Sequence, residues 1–182
     1  RISEYFQFAG KRYWTASLLP ALIGTTLPFW LNPPDFKFKL IEAILFLILI
    51  FLGHVGFSLL YFGFKQKIIS KLRKKSLFIL GILSITTSVF IGLYINTSLQ
   101  LHTNVPEYIF IVYGITAIFV GVLYVAPPFN FYQHLYGEIV ISVGLGMLPV
   151  LGAYLVQVGD ITRTVYLASL PVVVSTGLWI WI

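Results

Sequence analysis

The chain holds few side chains able to bind a metal or move a proton: three His, six Asp or Glu and no Cys. Without cysteine there can be no disulfide, thiolate metal site or cysteine nucleophile. His54 stands inside a long apolar run with Ser58 four residues later. On a helix the two share one face, a turn apart, and the flanking Gly53 and Gly56 let a neighbouring helix come close. A polar group in such a run needs a partner. A ligand pocket and an interhelical hydrogen bond would each account for His54. Glu138 opens a later apolar segment, where a carboxylate suits the positive end of a helix. Gln157 closes that segment and is expected to reach water, and Glu42 is expected to snorkel. Gly144, Gly146 and Gly152 are expected contact positions, and Pro149 should kink its helix. Residues 65–75 hold Lys65, Lys67, Lys71, Arg73, Lys74 and Lys75, six cations in eleven residues. Such a run could meet a pyrophosphate, meet anionic lipid head groups, or set topology. The chain contains no phosphate loop, nucleophile elbow or His-Glu helix motif, and no repeat of 20–50 residues.

The elements that must position these residues follow from composition. Of 182 residues, 58% are hydrophobic and 10% charged, against roughly 25% charged in a soluble domain. A bilayer is the solvent that accepts so much apolar surface. A spanning helix needs about 20 apolar residues. Six segments qualify, near 13–31, 40–64, 76–99, 108–126, 138–158 and 164–182. Asn32-Pro33-Pro34-Asp35, Asn104-Val105-Pro106, Pro127-Pro128 and Gly159-Asp160 break the chain between them. The expected fold is all-α: one polytopic transmembrane helix bundle over residues 1–182. The missing Met at position 1 and the apolar ending at Leu178-Trp179-Ile180-Trp181-Ile182 suggest a piece of a longer chain. With the N-terminus inside, inner segments carry nine cations: Arg1, Lys11, Arg12 and the six of 65–75. Outer segments carry three: Lys37, Lys39 and Arg163. That excess puts the N-terminus in the cytoplasm. The net charge of +6 thus reports orientation rather than nucleic-acid binding. Trp14, Trp30, Tyr61, Tyr124, Trp179 and Trp181 fall near span ends, as an aromatic belt would.

Several fragments, taken in order, resemble a known family. They are Ala16-Ser17-Leu18-Leu19-Pro20-Ala21-Leu22-Ile23-Gly24, His54-Val55-Gly56, Leu123-Tyr124 with Pro127-Pro128-Phe129 and Tyr136-Gly137-Glu138. Next come Leu148-Pro149-Val150-Leu151-Gly152-Ala153-Tyr154 with Val156-Gln157-Val158-Gly159, and Leu170-Pro171 with Ser175-Thr176. Together they resemble the UbiA superfamily of membrane prenyltransferases, nearest the branch that prenylates 1,4-dihydroxy-2-naphthoate in menaquinone synthesis. The resemblance implies a helical fold, usually of nine spans around a central cavity. It also implies two aspartate-rich motifs holding the Mg²⁺ that binds a polyprenyl diphosphate, with a bacterial or archaeal cytoplasmic membrane as the location. Tyr124 matches the family's tyrosine at the inner end of the fourth helix, near the reacting carbon. It is followed by Val125, where many members have Thr or Ser.

Aligned from His54, the family's first motif reads Asn-x-x-Asn-Asp-x-x-Asp. Here those positions hold Ser58, Tyr61, Phe62 and Lys65, and no carboxylate occurs between Glu42 and Glu107. A charged lysine cannot coordinate Mg²⁺, so neither a metal nor another cofactor is expected for this chain. The second motif would begin just after Ile182, and three further spans would follow it. The resulting expectation is a UbiA-like protein that has lost prenyl transfer. It would bind a quinone, an isoprenoid or a lipid, or serve as a subunit of a larger membrane complex. His54, Tyr124, Lys65 and Lys67 are its candidate ligand-binding residues. Two alternatives remain. One is an active prenyltransferase whose Lys65 and Lys67 contact pyrophosphate as point charges. The other is an unrelated transporter component, for which His54 is the sole mid-membrane ionisable group.

Overall fold

In a computed structural model, the structure describes residues 14–31, 33, 36–65, 71–102, 108–129, 131, 134 and 136–181. Six helices account for nearly all of them: α1 (Trp14–Leu31), α2 (Leu40–Lys65), α3 (Lys71–His102), α4 (Tyr108–Val125), α5 (Gly137–Val158) and α6 (Arg163–Trp181). Among the described residues there is no strand. Helices α1 to α5 are long and apolar enough to cross a membrane, and α6 adds a shorter apolar stretch, Arg163–Leu178. The protein is therefore a multi-pass integral membrane protein with an all-α bundle fold. The expected spans recur within a few residues, except that α3 starts at Lys71 and runs on to His102. Lys, Leu and Arg are good helix formers, so the end of the basic stretch, from Lys71, joins α3; the break between α2 and α3 falls at residues 66–70, outside the described residues. The expected turn at Asn104-Val105-Pro106 lies outside the described residues.

Lipid is as apolar as leucine, so helices associate in it through close packing and interhelical hydrogen bonds. Both devices join α2 to α3. A Cβ on Gly56 would lie 2.5 Å from Ile85 Cγ1 and 2.9 Å from the Gly81 carbonyl oxygen. Further out, Ser84 Oγ donates to the Leu52 carbonyl at 2.7 Å and Ser88 Oγ to the Leu49 carbonyl at 3.0 Å. At the outer end Ser98 Oγ donates to Glu42 Oε1 at 2.9 Å. Glu42 thus serves the hairpin as a hydrogen-bond acceptor, where the sequence suggested only a snorkelling carboxylate.

Helix α5 is the hub. Every residue from Pro149 to Gln157 is buried, because neighbours stand on all sides. Gly24 of α1 lies so close that a Cβ there would overlap the Val150 carbonyl. Phe46 of α2 and Tyr113 of α4 press on Gly152, where a Cβ would meet ring atoms at 2.6–2.7 Å. Gly146 admits the α6 backbone, with Val173 Cα 2.9 Å from the Cβ position. Pro149 shapes α5 as well. The expected kink takes the form of a π-helical turn at Val143–Met147, closed by the Leu148 N–H bonding the Val143 carbonyl. Proline would clash with the carbonyl four residues back, and a wider turn just before it relieves that conflict. The helix ends at Gly159, whose φ of 87° suits the left-handed cap that glycine takes readily.

Two glycines give opposite expectations. Gly56→Leu should destabilise the protein by about 1–3 kcal/mol, since the added atoms must separate α2 from α3. Gly114→Ala should cost nothing, because no atom lies within 4 Å of its Cβ position. Thermal unfolding of both variants in detergent would measure this. Equal melting temperatures would refute the packing account.

Candidate functional site

Buried apolar side chains gather in the outer half of the bundle. One cluster joins Ala21, Phe46, Ile95, Leu99, Phe110, Ala153, Leu155 and Val156. A second joins Leu151, Tyr154 and Val165. That half is closed by a polar clamp. The Lys39 backbone N–H donates to Gln157 Oε1 at 3.0 Å, and Gln157 Nε2 donates to the Lys39 carbonyl at 3.0 Å. Gln157 is 2% exposed, so it does not reach water as expected. It satisfies both backbone groups of the residue just before α2. Lys39 also sends its ammonium to the Val156 carbonyl at 3.5 Å. Burial lowers the Lys39 pKa below the ordinary lysine value, opposed by the Glu42 carboxylate.

The candidate residues lie in the other, inner half. Phe51 of α2 meets the Trp14 ring of α1 edge to face at 4.9 Å. Phe57 of α2 presses on Gly121 of α4. On a helical wheel His54 falls midway between them, about 60° from each. It therefore points toward the bundle interior, and its Nε2 is buried. Ser58 and Tyr61 continue this stripe, within about 40° of His54. Phe62 sits at its edge, paired with the Tyr61 ring at 5.3 Å. Ser58, Tyr61 and Phe62 are all half-buried. Lys65 ends α2, and Lys67 lies outside the described residues.

Tyr124 is half-buried near the end of α4. Helices α2 and α4 run in the same direction, aligned at Phe57 and Gly121. That places Tyr124 level with Tyr61 and about 9 Å along the axis from His54. His54 and Tyr124 thus belong to one inner region at different depths. Glu138 lies in the first turn of α5, where its backbone carbonyl accepts from Ser142 Oγ at 2.6 Å.

Two apolar grooves flank α6 in the same half. One, of about 380 Å³, runs between α1 and α6 along Thr15, Leu19, Pro20, Pro171 and Ser175. The other, of about 530 Å³, runs between α5 and α6 past Glu138, Ser142, Val174 and Gly177. Sequence reasoning missed both, because a groove forms where two helices fail to meet and no single residue marks it. Among the described residues no three His, Asp or Glu come together as a metal-binding group. The interior stripe of α2 offers an imidazole, a hydroxyl and a phenol. These can hydrogen-bond a carbonyl or hydroxyl of an otherwise apolar ligand.

No protein-family model matches the chain, and neither a curated protein nor a solved structure does.

Gln157→Leu leaves the Lys39 N–H without its partner, while the Lys39 carbonyl keeps the bond from the Ala43 N–H at 3.0 Å. It should cost about 1–3 kcal/mol, and Gln157→Glu, which keeps the acceptor, should cost less. Chemical denaturation of reconstituted protein would rank the two. Lys39 adds a pH dependence. Its folded-state pKa is lowered, so folding releases a proton between that value and the unfolded value of about 10.4. Wild-type stability relative to Lys39→Met should therefore rise as pH climbs through that window. A constant difference between pH 8 and 11 would exclude the buried amine as the source.

Proposed function

We propose that this protein is a UbiA-like membrane protein that no longer transfers prenyl groups. In this reading it holds a quinone or isoprenoid ligand in the inner half of its bundle. One observation carries the reading: the α2 stripe facing the interior presents His54, Ser58 and Tyr61, with Lys65 at its end, and not one carboxylate. An allylic diphosphate ionises when its leaving group is neutralised, and Mg²⁺ is the usual means. Mg²⁺ is a hard cation that requires anionic oxygen ligands. Hydroxyl, phenol and imidazole groups hold it poorly, and an ammonium repels it. The same groups suit a quinone, whose carbonyls accept hydrogen bonds and whose isoprenoid tail suits an apolar groove. The ordered fragments from Ala16 to Thr176 supply the family part of the reading. The cation excess on the inner side fits a bacterial or archaeal cytoplasmic membrane, with the ligand region facing the cytoplasm.

Turnover and binding separate the outcomes. Purified protein in lipid nanodiscs would receive Mg²⁺, labelled polyprenyl diphosphate and 1,4-dihydroxy-2-naphthoate. No prenylated product is expected above empty nanodiscs. A menaquinone added to the same sample should quench tryptophan fluorescence saturably. His54→Leu and Ser58→Ala should each weaken that binding by about two- to tenfold, the loss of one hydrogen bond. Product formation would overturn the loss of transfer. Failure of both quinone and isoprenoid to bind would overturn the ligand.

A further inference from the structure

We infer that the inner end of the α2–α3 hairpin is a docking surface for anionic phospholipid head groups of the adjoining leaflet. The level of this surface is set by two rings. Phe64 of α2 and Phe78 of α3 meet edge to face at 4.8 Å, and Gly63 abuts Phe78. Aromatic rings at helix ends commonly sit at the boundary between hydrocarbon and head groups. One residue beyond Phe64, α2 ends at Lys65. Three and four residues before Phe78, α3 carries Lys75 and Lys74, both exposed. At about 1.5 Å per residue, these positions lie roughly 2–6 Å beyond the ring pair. That is the depth of lipid phosphates rather than open water. Lys71 and Arg73 fall in the preceding turn of α3.

The length of α3 points the same way. Its 32 residues span about 48 Å, against a hydrocarbon core of about 30 Å. Its apolar stretch starts at Lys74, so the first turn projects into the head-group layer.

Among the described residues, no acid lies on α2 or α3 near these cations. The first turn of α3 holds no acid. Glu42 lies at the opposite end of the hairpin, where it accepts from Ser98. Glu138 is on the inner side, but its part of α5 packs against α4 and α6. Clustered cations repel one another, and at a helix start they also face the positive end of the backbone dipole. An external anion relieves both. Phosphodiesters are the anions fixed at that depth, and lysine meets them as a mobile point charge.

Lipid retention gives the test. The full chain would be extracted from a bilayer of equal parts phosphatidylglycerol and phosphatidylcholine, and bound lipids counted by native mass spectrometry. Wild type should retain phosphatidylglycerol preferentially. Lys74→Gln and Lys75→Gln should each reduce the preference roughly fivefold, while Lys37→Gln on the opposite side leaves it unchanged. High salt should weaken it, since exposed charges are screened over about 3 Å at 1 M. Both positions are exposed, and matching melting temperatures would verify that the variants fold. Equal retention of the two lipids by wild type would overturn the inference, as would an unaltered preference in Lys74→Gln/Lys75→Gln. Displacement of the lipid by millimolar inorganic pyrophosphate would overturn it too, by assigning the cations to a soluble ligand.

Discussion

A helix surrounded by lipid gains little from burying apolar side chains against its neighbours, so this bundle depends on how closely its backbones approach. The constraint is sharpest around α5, which touches four other helices. Each contact is cut to fit by a small residue: Gly24 against Val150, Gly152 beneath Phe46 and Tyr113, Gly146 against Val173, and Gly144 against Val120. The α2–α3 hairpin solves the problem separately, with Gly56 and Gly81 face to face and serine hydroxyls bonding across the seam. Proline contributes by widening a turn of α5 where it would otherwise collide with its own helix.

The two ends of the bundle are built differently. Toward the outer end, large apolar side chains fill the space between the helices. Gln157 then ties the chain before α2 to the end of α5 with two hydrogen bonds. Toward the inner end the α2 stripe of His54, Ser58 and Tyr61 is half-buried, and α6 packs on α5 at Gly146 and Gly177 with a groove on either side of it.

Charge follows the same division. The stretch between Glu42 and Glu107 holds no acid and six cations. This single feature bears on three matters. It helps orient the chain in the bilayer. It deprives the inner half of α2 of ligands for a hard dication. It also starts α3 with a cluster of cations at the positive end of the helix dipole.

Much of this was legible in the residues themselves. Apolar runs bounded by Pro, Asn and Gly marked the six helices, because only a helix satisfies its own backbone in lipid. Cation asymmetry gave them an expected orientation, and Ser58, Tyr61, Phe62 and Lys65 place no carboxylate at those four positions of α2. The roles of Gln157 and Glu42 were not legible. Gln157 bonds a residue 118 positions away, and Glu42 accepts from a serine 56 positions away. Nothing local distinguishes either from a polar side chain reaching water. The grooves beside α6 and the π-helical form of the Pro149 distortion also emerged only in three dimensions. Each depends on where one helix lies against another, and apolar sequence specifies that only weakly, since lipid-facing and helix-facing leucines are the same residue.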